Sequence, residues 1–344
     1  MLTRRLPTLF LMLVTLALTV GGSILPATGH DDGDDRDDGK VERFATLPKP
    51  GPGHPEGIAA DRDGNIYVST FDFTQPNNLY VFGRDGRLKG LRTVTLGPGS
   101  LPLGLAVRGN DLYVADFGKG DVLRFALPLK TGDLPLPPHG ETIHVCDNPT
   151  KDCALNALEF DHAGSVYVSD SFGGRVFKIA PGNPPVVTTF LADEMLKPGS
   201  HGFPPFGANG LAFNTAGTQL FIANTADDRI LKYDLATKTL STFAESINGA
   251  DGIAFDRKGR LWVCANPADE LVALNSRGRI VERVGSFRGV GGDGAARGLL
   301  FPASLVFSRG AIFVTNLALA LTPAEGDEPE EDVTTFTVSR IELD

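Results

Sequence analysis

Ala250-Asp251-Gly252-Ile253-Ala254-Phe255-Asp256-Arg257-Lys258-Gly259-Arg260-Leu261-Trp262-Val263 reads as two short apolar strands joined by a glycine turn, the punctuation of a β-hairpin. An aromatic sits at the centre of the second strand. The same apolar-aromatic-apolar triplet recurs as Ile66-Tyr67-Val68, Leu112-Tyr113-Val114, Val166-Tyr167-Val168, Leu220-Phe221-Ile222 and Ile312-Phe313-Val314. Turn residues such as Asp63-Gly64-Asn65 or Arg108-Gly109-Asn110 precede the triplets. A third strand follows several of them, as in Arg175-Val176-Phe177-Lys178-Ile179, Arg229-Ile230-Leu231-Lys232-Tyr233 and Glu270-Leu271-Val272-Ala273-Leu274, and then a fourth, such as residues 186–190. Four antiparallel strands repeated every 42 to 53 residues predict an all-β, six-bladed β-propeller with four-stranded antiparallel blades over residues 41–344. The last repeat has a third strand at residues 333–343 and no fourth, while residues 41–47 form a spare strand before the first repeat. The termini are therefore expected to share the closing blade, which removes exposed strand edges, and a monomer is expected.

Aligning the first strands places Pro55-Glu56-Gly57-Ile58, Pro102-Leu103-Gly104-Leu105, Leu155-Asn156-Ala157-Leu158, Ala208-Asn209-Gly210-Leu211, Ala250-Asp251-Gly252-Ile253 and Pro302-Ala303-Ser304-Leu305 in register. Equivalent positions on inner strands converge at the mouth of a propeller's central channel. The second position reads Glu56, Leu103, Asn156, Asn209, Asp251, Ala303. Two carboxylates and two carboxamides then face one another, an all-oxygen set with two negative charges. That set suits a hard divalent cation, Ca²⁺ before Mg²⁺ or Zn²⁺, at ligand distances of ~2.3–2.6 Å. The bland alternative is that these are turn residues, since Asn-Gly and Asp-Gly are common hairpin letters, but the turns proper lie elsewhere in each repeat.

Glu56-Gly57, Asn209-Gly210-Leu211 and Asp251-Gly252-Ile253-Ala254-Phe255-Asp256 resemble the senescence-marker/gluconolactonase/regucalcin-like family of six-bladed propellers, and are similar to diisopropyl-fluorophosphatase and the paraoxonases. The resemblance implies that Glu56, Asn156, Asn209 and Asp251 hold a catalytic metal, with Asn156 placed by repeat alignment rather than by motif. It implies hydrolysis of a lactone or related ester, with Asp251 as first candidate for general base. His201, in Gly199-Ser200-His201-Gly202-Phe203-Pro204-Pro205-Phe206, is the second candidate, and Phe203 and Phe206 are candidates for an apolar substrate wall. Paraoxonase-like enzymes place a His at the second repeat's ring position, where this chain has Leu103, so a paraoxonase His mechanism is disfavoured. Val114-Ala115-Asp116, Val168-Ser169-Asp170 and Ile222-Ala223-Asn224 also look like NHL repeats, whose propellers often only bind partners. Three readings follow: a calcium-dependent lactonase or esterase; a non-catalytic propeller binding a peptide, glycan or protein; and another reaction on the same scaffold, such as phosphotriester hydrolysis or a strictosidine-synthase-like condensation. The condensation would need no metal, so the oxygen quartet counts against that reaction alone.

Arg4 and Arg5 precede an apolar run at residues 9–20 and then small residues ending in Pro26-Ala27-Thr28-Gly29, the layout of a cleaved secretory signal. Residues 1–29 are read as that signal and 30–40 as an acidic disordered linker, so a secreted or periplasmic product is expected, with Sec and Tat export both open. The run is shorter than the ~20 residues that span a bilayer, and no lipid-attachment Cys follows it, so no membrane anchor is expected. Asp31-Asp32-Gly33-Asp34-Asp35-Arg36-Asp37-Asp38 lacks the Glu that closes an EF-hand loop and reads as solvated linker. The net charge of −10, or −12 without residues 1–30, excludes a nucleic-acid footprint. A small-molecule substrate is the expected partner. Of the 3 cysteines, Cys146 and Cys153 can close a small loop, which leaves Cys264 as a buried thiol in an apolar strand. Gly289-Val290-Gly291-Gly292-Asp293-Gly294 has dinucleotide-loop spacing but no helix after it, and is read as a flexible rim loop. The acidic residues 325–332 are read as a solvated insertion within the last blade.

Overall fold

Aspartates six residues upstream anchor several of the strand-centre aromatics. Tyr67 Oη donates to Asp61 at 2.9 Å, Tyr167 Oη to Asp161 at 3.3 Å and Trp262 Nε1 to Asp256 at 3.1 Å. The same carboxylates accept the backbone N–H of Asn65, Ser165 and Arg260 across the glycine turns. One side chain thus closes the turn and sets the strand. The ring then meets the next blade edge-on: Tyr113 on Phe160, Tyr167 on Phe213 and Phe221 on Phe255, at centroid distances of 5.1, 5.0 and 5.1 Å. Such pairs add about 0.5–1.5 kcal/mol each beyond the area they bury.

The computed structural model describes residues 41–49, 53–74, 76–129, 140–200, 204–322 and 324–343. The signal and linker assigned to residues 1–40 lie outside them. Strand β1 is Val41–Thr46. Blade 1 holds β2 (Pro55–Ala60), β3 (Ile66–Thr70), β4 (Asn78–Phe82) and β5 (Leu88–Thr95); blade 2 holds β6 (Pro102–Arg108), β7 (Asp111–Asp116), β8 (Asp121–Ala126) and β9 (Gly140–His144). Blade 3 holds β10 (Leu155–Phe160), β11 (Val166–Asp170), β12 (Arg175–Ala180) and β13 (Val186–Ala192). Blade 4 holds β14 (Ala208–Phe213), β15 (Gln219–Asn224), β16 (Arg229–Asp234) and β17 (Thr239–Glu245). Blade 5 holds β18 (Ala250–Phe255), β19 (Leu261–Ala265), β20 (Glu270–Leu274) and β21 (Ile280–Val284). A hairpin of β22 (Phe287–Val290) and β23 (Ala296–Gly298) precedes blade 6, built from β24 (Pro302–Ser308), β25 (Ala311–Asn316), β26 (Thr337–Glu342) and, outermost, β1.

The fold is therefore the expected six-bladed propeller, with the termini sharing the closing blade. Val41 pairs with Ile341 and Thr46 with Thr337, antiparallel. The segment read as a flexible rim loop, residues 289–294, is instead largely the tip of the β22–β23 hairpin. Gly291 and Gly294 close its turn by a backbone hydrogen bond, and Asp293 accepts from Arg43 at 2.7 Å. Glycines free to turn the chain allow a hairpin as readily as a loose loop, and the charge pair on β1 favours the hairpin.

The core lies between blades. One apolar cluster joins Leu79 of blade 1 to Val114 of blade 2, another Ile222 of blade 4 to Tyr167 of blade 3, and a third Trp262 of blade 5 to Ile312 of blade 6. The inner strands follow one another around the channel and close, β2 touching both β6 and β24.

Every inner strand carries a bulge at one place. Pro55 pairs with Thr70 and Ile58 with Val68, so Glu56 and Gly57 together oppose Ser69; the ladder shifts identically at Pro102/Leu105, Leu155/Leu158, Ala208/Leu211, Ala250/Ile253 and Pro302/Leu305. The second bulge residue sits against the neighbouring inner strand. A Cβ on Gly57 would lie 2.0 Å from Leu103 O, on Gly104 2.5 Å from Asn156 O, on Gly210 2.2 Å from Asp251 O and on Gly252 2.6 Å from Ala303 O. The glycines of the Glu-Gly, Asn-Gly and Asp-Gly pairs are thus required by backbone approach between blades, not by turns. Gly210→Ala is expected to cost about 1–3 kcal/mol, seen as a lower denaturation midpoint at unchanged slope. Gly97→Ala, with no heavy atom within 4 Å, should stay within about 0.5 kcal/mol. An unchanged midpoint for Gly210→Ala would remove close approach as the reason for these glycines.

Candidate active site at the channel mouth

Bulges re-aim side chains, and here six of them direct the first bulge residue toward one place. Glu56, Leu103, Asn156, Asn209 and Asp251 all line a single cavity of about 210 Å³ at the channel mouth. Ala303 at the sixth position is fully buried. The four predicted oxygen-bearing residues are therefore brought together by one repeated backbone irregularity. His201 and Phe203 lie outside the described residues; Phe206 lines the cavity, stacked on Phe172 at 5.5 Å.

The loops that lead into the inner strands are held by the last residue of the strand beside them. Asp116 accepts the N–H of Leu101 at 2.9 Å, Asp170 that of Ala154 at 2.8 Å, and Asn224 donates to Met195 O at 2.9 Å and Lys197 O at 3.0 Å.

One residue further on stands a set the repeat alignment did not reach: Phe71, Phe117, Ser171, Thr225, Asn266 and Leu317. In blades 3 to 5 these are polar and support the first bulge residues. Asn156 Nδ2 donates to Ser171 Oγ at 3.3 Å, and Ser171 Oγ to Ala208 O of the next blade at 2.7 Å. Asn209 Nδ2 donates to Thr225 Oγ1 at 2.9 Å, which donates to Ala250 O at 2.8 Å. Asn266 Nδ2 donates to Asp251 Oδ2 at 3.1 Å and to Pro302 O at 2.6 Å. Each asparagine engaged through Nδ2 keeps Oδ1, an acceptor, for the cavity. The signal that could have found this layer is the repeat itself, read 14 to 16 residues past each bulge.

Electrostatically the floor is under strain. Burial pushes the Asp251 carboxyl up to about 7, against the pull of hydrogen bonds from Asn266 and Asn209. Glu56 is raised well above the carboxylate range, by burial first and then by the charge of Asp251. Glu56 Oε2 is buried with no hydrogen-bond partner. An orphaned carboxylate oxygen beside a second acid is costly unless a proton or a cation meets it. Among the described residues no three His, Cys, Asp or Glu side chains group around a possible ion, so a cation here would rest on two carboxylates and two carboxamides. That donor set fits a hard divalent ion.

Cys146 and Cys153 are bridged, and Thr150 of the loop they close reaches the cavity rim. Cys264 is a buried free thiol, pushed well up by burial and by the nearby acids, which makes it an inert packing group.

Residues 137–286 match the family model of the SMP-30/Gluconolactonase/LRE-like region, a span that contains Asn156, Asn209 and Asp251. The family resemblance read from the sequence is borne out there. No curated protein matches the chain. Among solved structures, a gluconolactonase of Xanthomonas campestris superposes with TM-score 0.59 at 14% identity, covering 88% of this chain and 88% of its own. Regucalcin of Agrobacterium tumefaciens, a calcium-binding protein, gives 0.60 at 14%, covering 87% and 93%. Virginiamycin B lyase of Staphylococcus aureus gives 0.57 at 11%, covering 89% and 99%. At such identities the likeness is one of fold.

The raised acids set a pH dependence. Their unfolded values are near 4, so in metal-free protein the stability present below about pH 4 is lost as pH rises toward and through about 7. In chelator, Glu56→Gln is expected to melt several degrees above wild type at pH 8 and to show a flatter pH profile. Equal melting temperatures at pH 8 would mean that the Glu56 carboxylate is not the destabilising group.

Proposed function

We propose that this chain, through its SMP-30/gluconolactonase/LRE-like region, is a divalent-cation-dependent hydrolase that opens a lactone or related ester, with Ca²⁺ the first choice and Mg²⁺ or Zn²⁺ the alternatives. The observation that carries the reading is the unpartnered Glu56 Oε2 buried beside Asp251, Asn156 and Asn209 on the floor of one cavity. A cation held by these four residues would supply Lewis acidity, polarising the ester carbonyl and lowering the pKa of water.

The chain's own groups do the rest. Asn266 and Asn209 fix the Asp251 carboxylate, which is the group proposed to take a proton from an attacking water and return it to the leaving oxygen, with its basicity lowered when it also holds the cation. The acyl carbon–oxygen bond of the ring breaks, the water oxygen becomes part of the new carboxyl group, and one hydroxy acid results. Asn156 and Asn209 present acceptor oxygens held in place by Ser171 and Thr225. The Phe and Leu walls limit water to the floor. His201 remains the second candidate base.

We infer as well that the protein is exported and its first 29 residues are removed, a reading that the Cys146–Cys153 bridge favours; N-terminal sequencing of the recovered protein checks it. Among the described residues no helix is long and apolar enough to cross a membrane.

Base uptake in a pH-stat against sugar, aliphatic and aromatic lactones is expected to require added calcium and to stop in chelator. Asp251→Asn should lose about 10³-fold or more in kcat, a loss of both base and ligand. If no lactone or ester is opened while calcium still raises the melting temperature, the ion is structural and a partner-binding role takes precedence.

A further inference from the structure

Five aromatic rings form a continuous belt above the floor. Phe73, Phe71, Phe117, Phe172 and Phe206 follow one another at centroid distances of 4.8, 6.5, 5.9 and 5.5 Å, and all five line the cavity together with Leu101 and Leu103 at blade 2 and leucines from the loop after β25. Among the described lining residues there is no Lys, Arg or His. The polar lining is confined to the floor, apart from Thr150. Much of the floor's donor capacity is already used: Ser171, Thr225 and Asn266 donate to the backbone carbonyls of Ala208, Ala250 and Pro302.

A sugar lactone carries a hydroxyl on nearly every carbon. Set against this belt, those hydroxyls would give up water without new partners, a loss for each one buried. An alkyl or aryl group in the same space gains by leaving water. The volume of about 210 Å³ lies below the ~300–1,000 Å³ of pockets for drug-sized ligands, a size that suits a small lactone or ester.

We propose that the site selects small lactones or esters bearing an apolar alkyl or aryl substituent, with the carbonyl on the Glu56–Asp251 floor and the substituent on the aromatic belt, and that it rejects polyhydroxylated sugar lactones. This proposal rests on the hydrolase reading for its chemistry, but the belt can be tested without turnover.

With calcium present, kcat/KM is compared for γ-butyrolactone, γ-hexalactone, γ-octalactone, dihydrocoumarin and glucono-δ-lactone. Each added methylene is expected to raise kcat/KM by about two- to fourfold, the upper figure being the ~0.8 kcal/mol of a fully buried CH₂. Glucono-δ-lactone should be the poorest substrate. Phe206→Ala and Phe73→Ser, the latter at a side chain 41% exposed, should each lower the octalactone-to-butyrolactone ratio, by about tenfold for the fuller loss of contact. Glucono-δ-lactone turned over as fast as γ-octalactone, or a ratio unmoved in both variants, overturns the proposal. A calorimetric titration with γ-octalactam and gluconolactam, which keep the ring but resist hydrolysis, separates the two readings. Binding of γ-octalactam alone, weakened in Phe73→Ser, supports the apolar preference even if no lactone is hydrolysed. Binding of gluconolactam in preference, or of neither, overturns it.

Discussion

Close approach of the inner strands around the channel governs the rest of the molecule. Carbonyls of Leu103, Asn156, Asp251 and Ala303 lie where a Cβ on the neighbouring blade would have to go, so the position after the first bulge residue must be small. It is glycine in four blades, Ala157 in blade 3 and Ser304 in blade 6. Because the small residue is also the second half of a bulge, the residue before it leaves the ladder and turns its side chain into the channel. A packing constraint and a functional placement are one backbone event, repeated in each blade.

That event is indifferent to what the side chain is, which lets the ring divide by chemistry. Blades 3 to 5 present Asn156, Asn209 and Asp251, backed by Ser171, Thr225 and Asn266; blades 6, 1 and 2 offer Leu317, Phe71 and Phe117 at the backing position. Glu56 is the exception, an acid on the apolar side. Its unpartnered oxygen and raised affinity for a proton follow from burial without a hydroxyl or amide layer behind it and, second, from the charge of Asp251. The buried acids do not stabilise the metal-free fold. They are a stored electrostatic cost that a cation or protons would relieve.

Much of this was legible in the sequence because the repeat is periodic. Strand triplets centred on an aromatic gave the blade count, the spare strand read at residues 41–47 gave the closure, and aligned second positions gave Glu56, Asn156, Asn209 and Asp251. What was not legible has physical reasons. The aspartates behind Tyr67, Tyr167 and Trp262 look like ordinary turn residues until the phenol and indole groups are seen to reach them. Asn266 and Thr225 fall outside any strand pattern, since their role is to bond across blades rather than along them. The hairpin at residues 287–298 was hidden by its glycines, which permit many conformations and specify none; the Arg43–Asp293 pair that favours this one joins residues far apart in the chain.

The closing blade has a kinetic meaning. Blades 1 to 5 are each built from a contiguous stretch of chain, so each can form from local contacts. Pairing of Val41 with Ile341 joins segments separated by nearly the whole described chain, the contact with the greatest loop-closure entropy and the slowest expected to form. The ring therefore has one seam. Assembly must wait for β26 before β1 has a partner, and opening begins most readily where that pairing is lost. The working lifetime of the channel mouth, whose floor includes Glu56 from the blade beside that seam, is then set less by the strength of any blade than by how long this clasp stays shut.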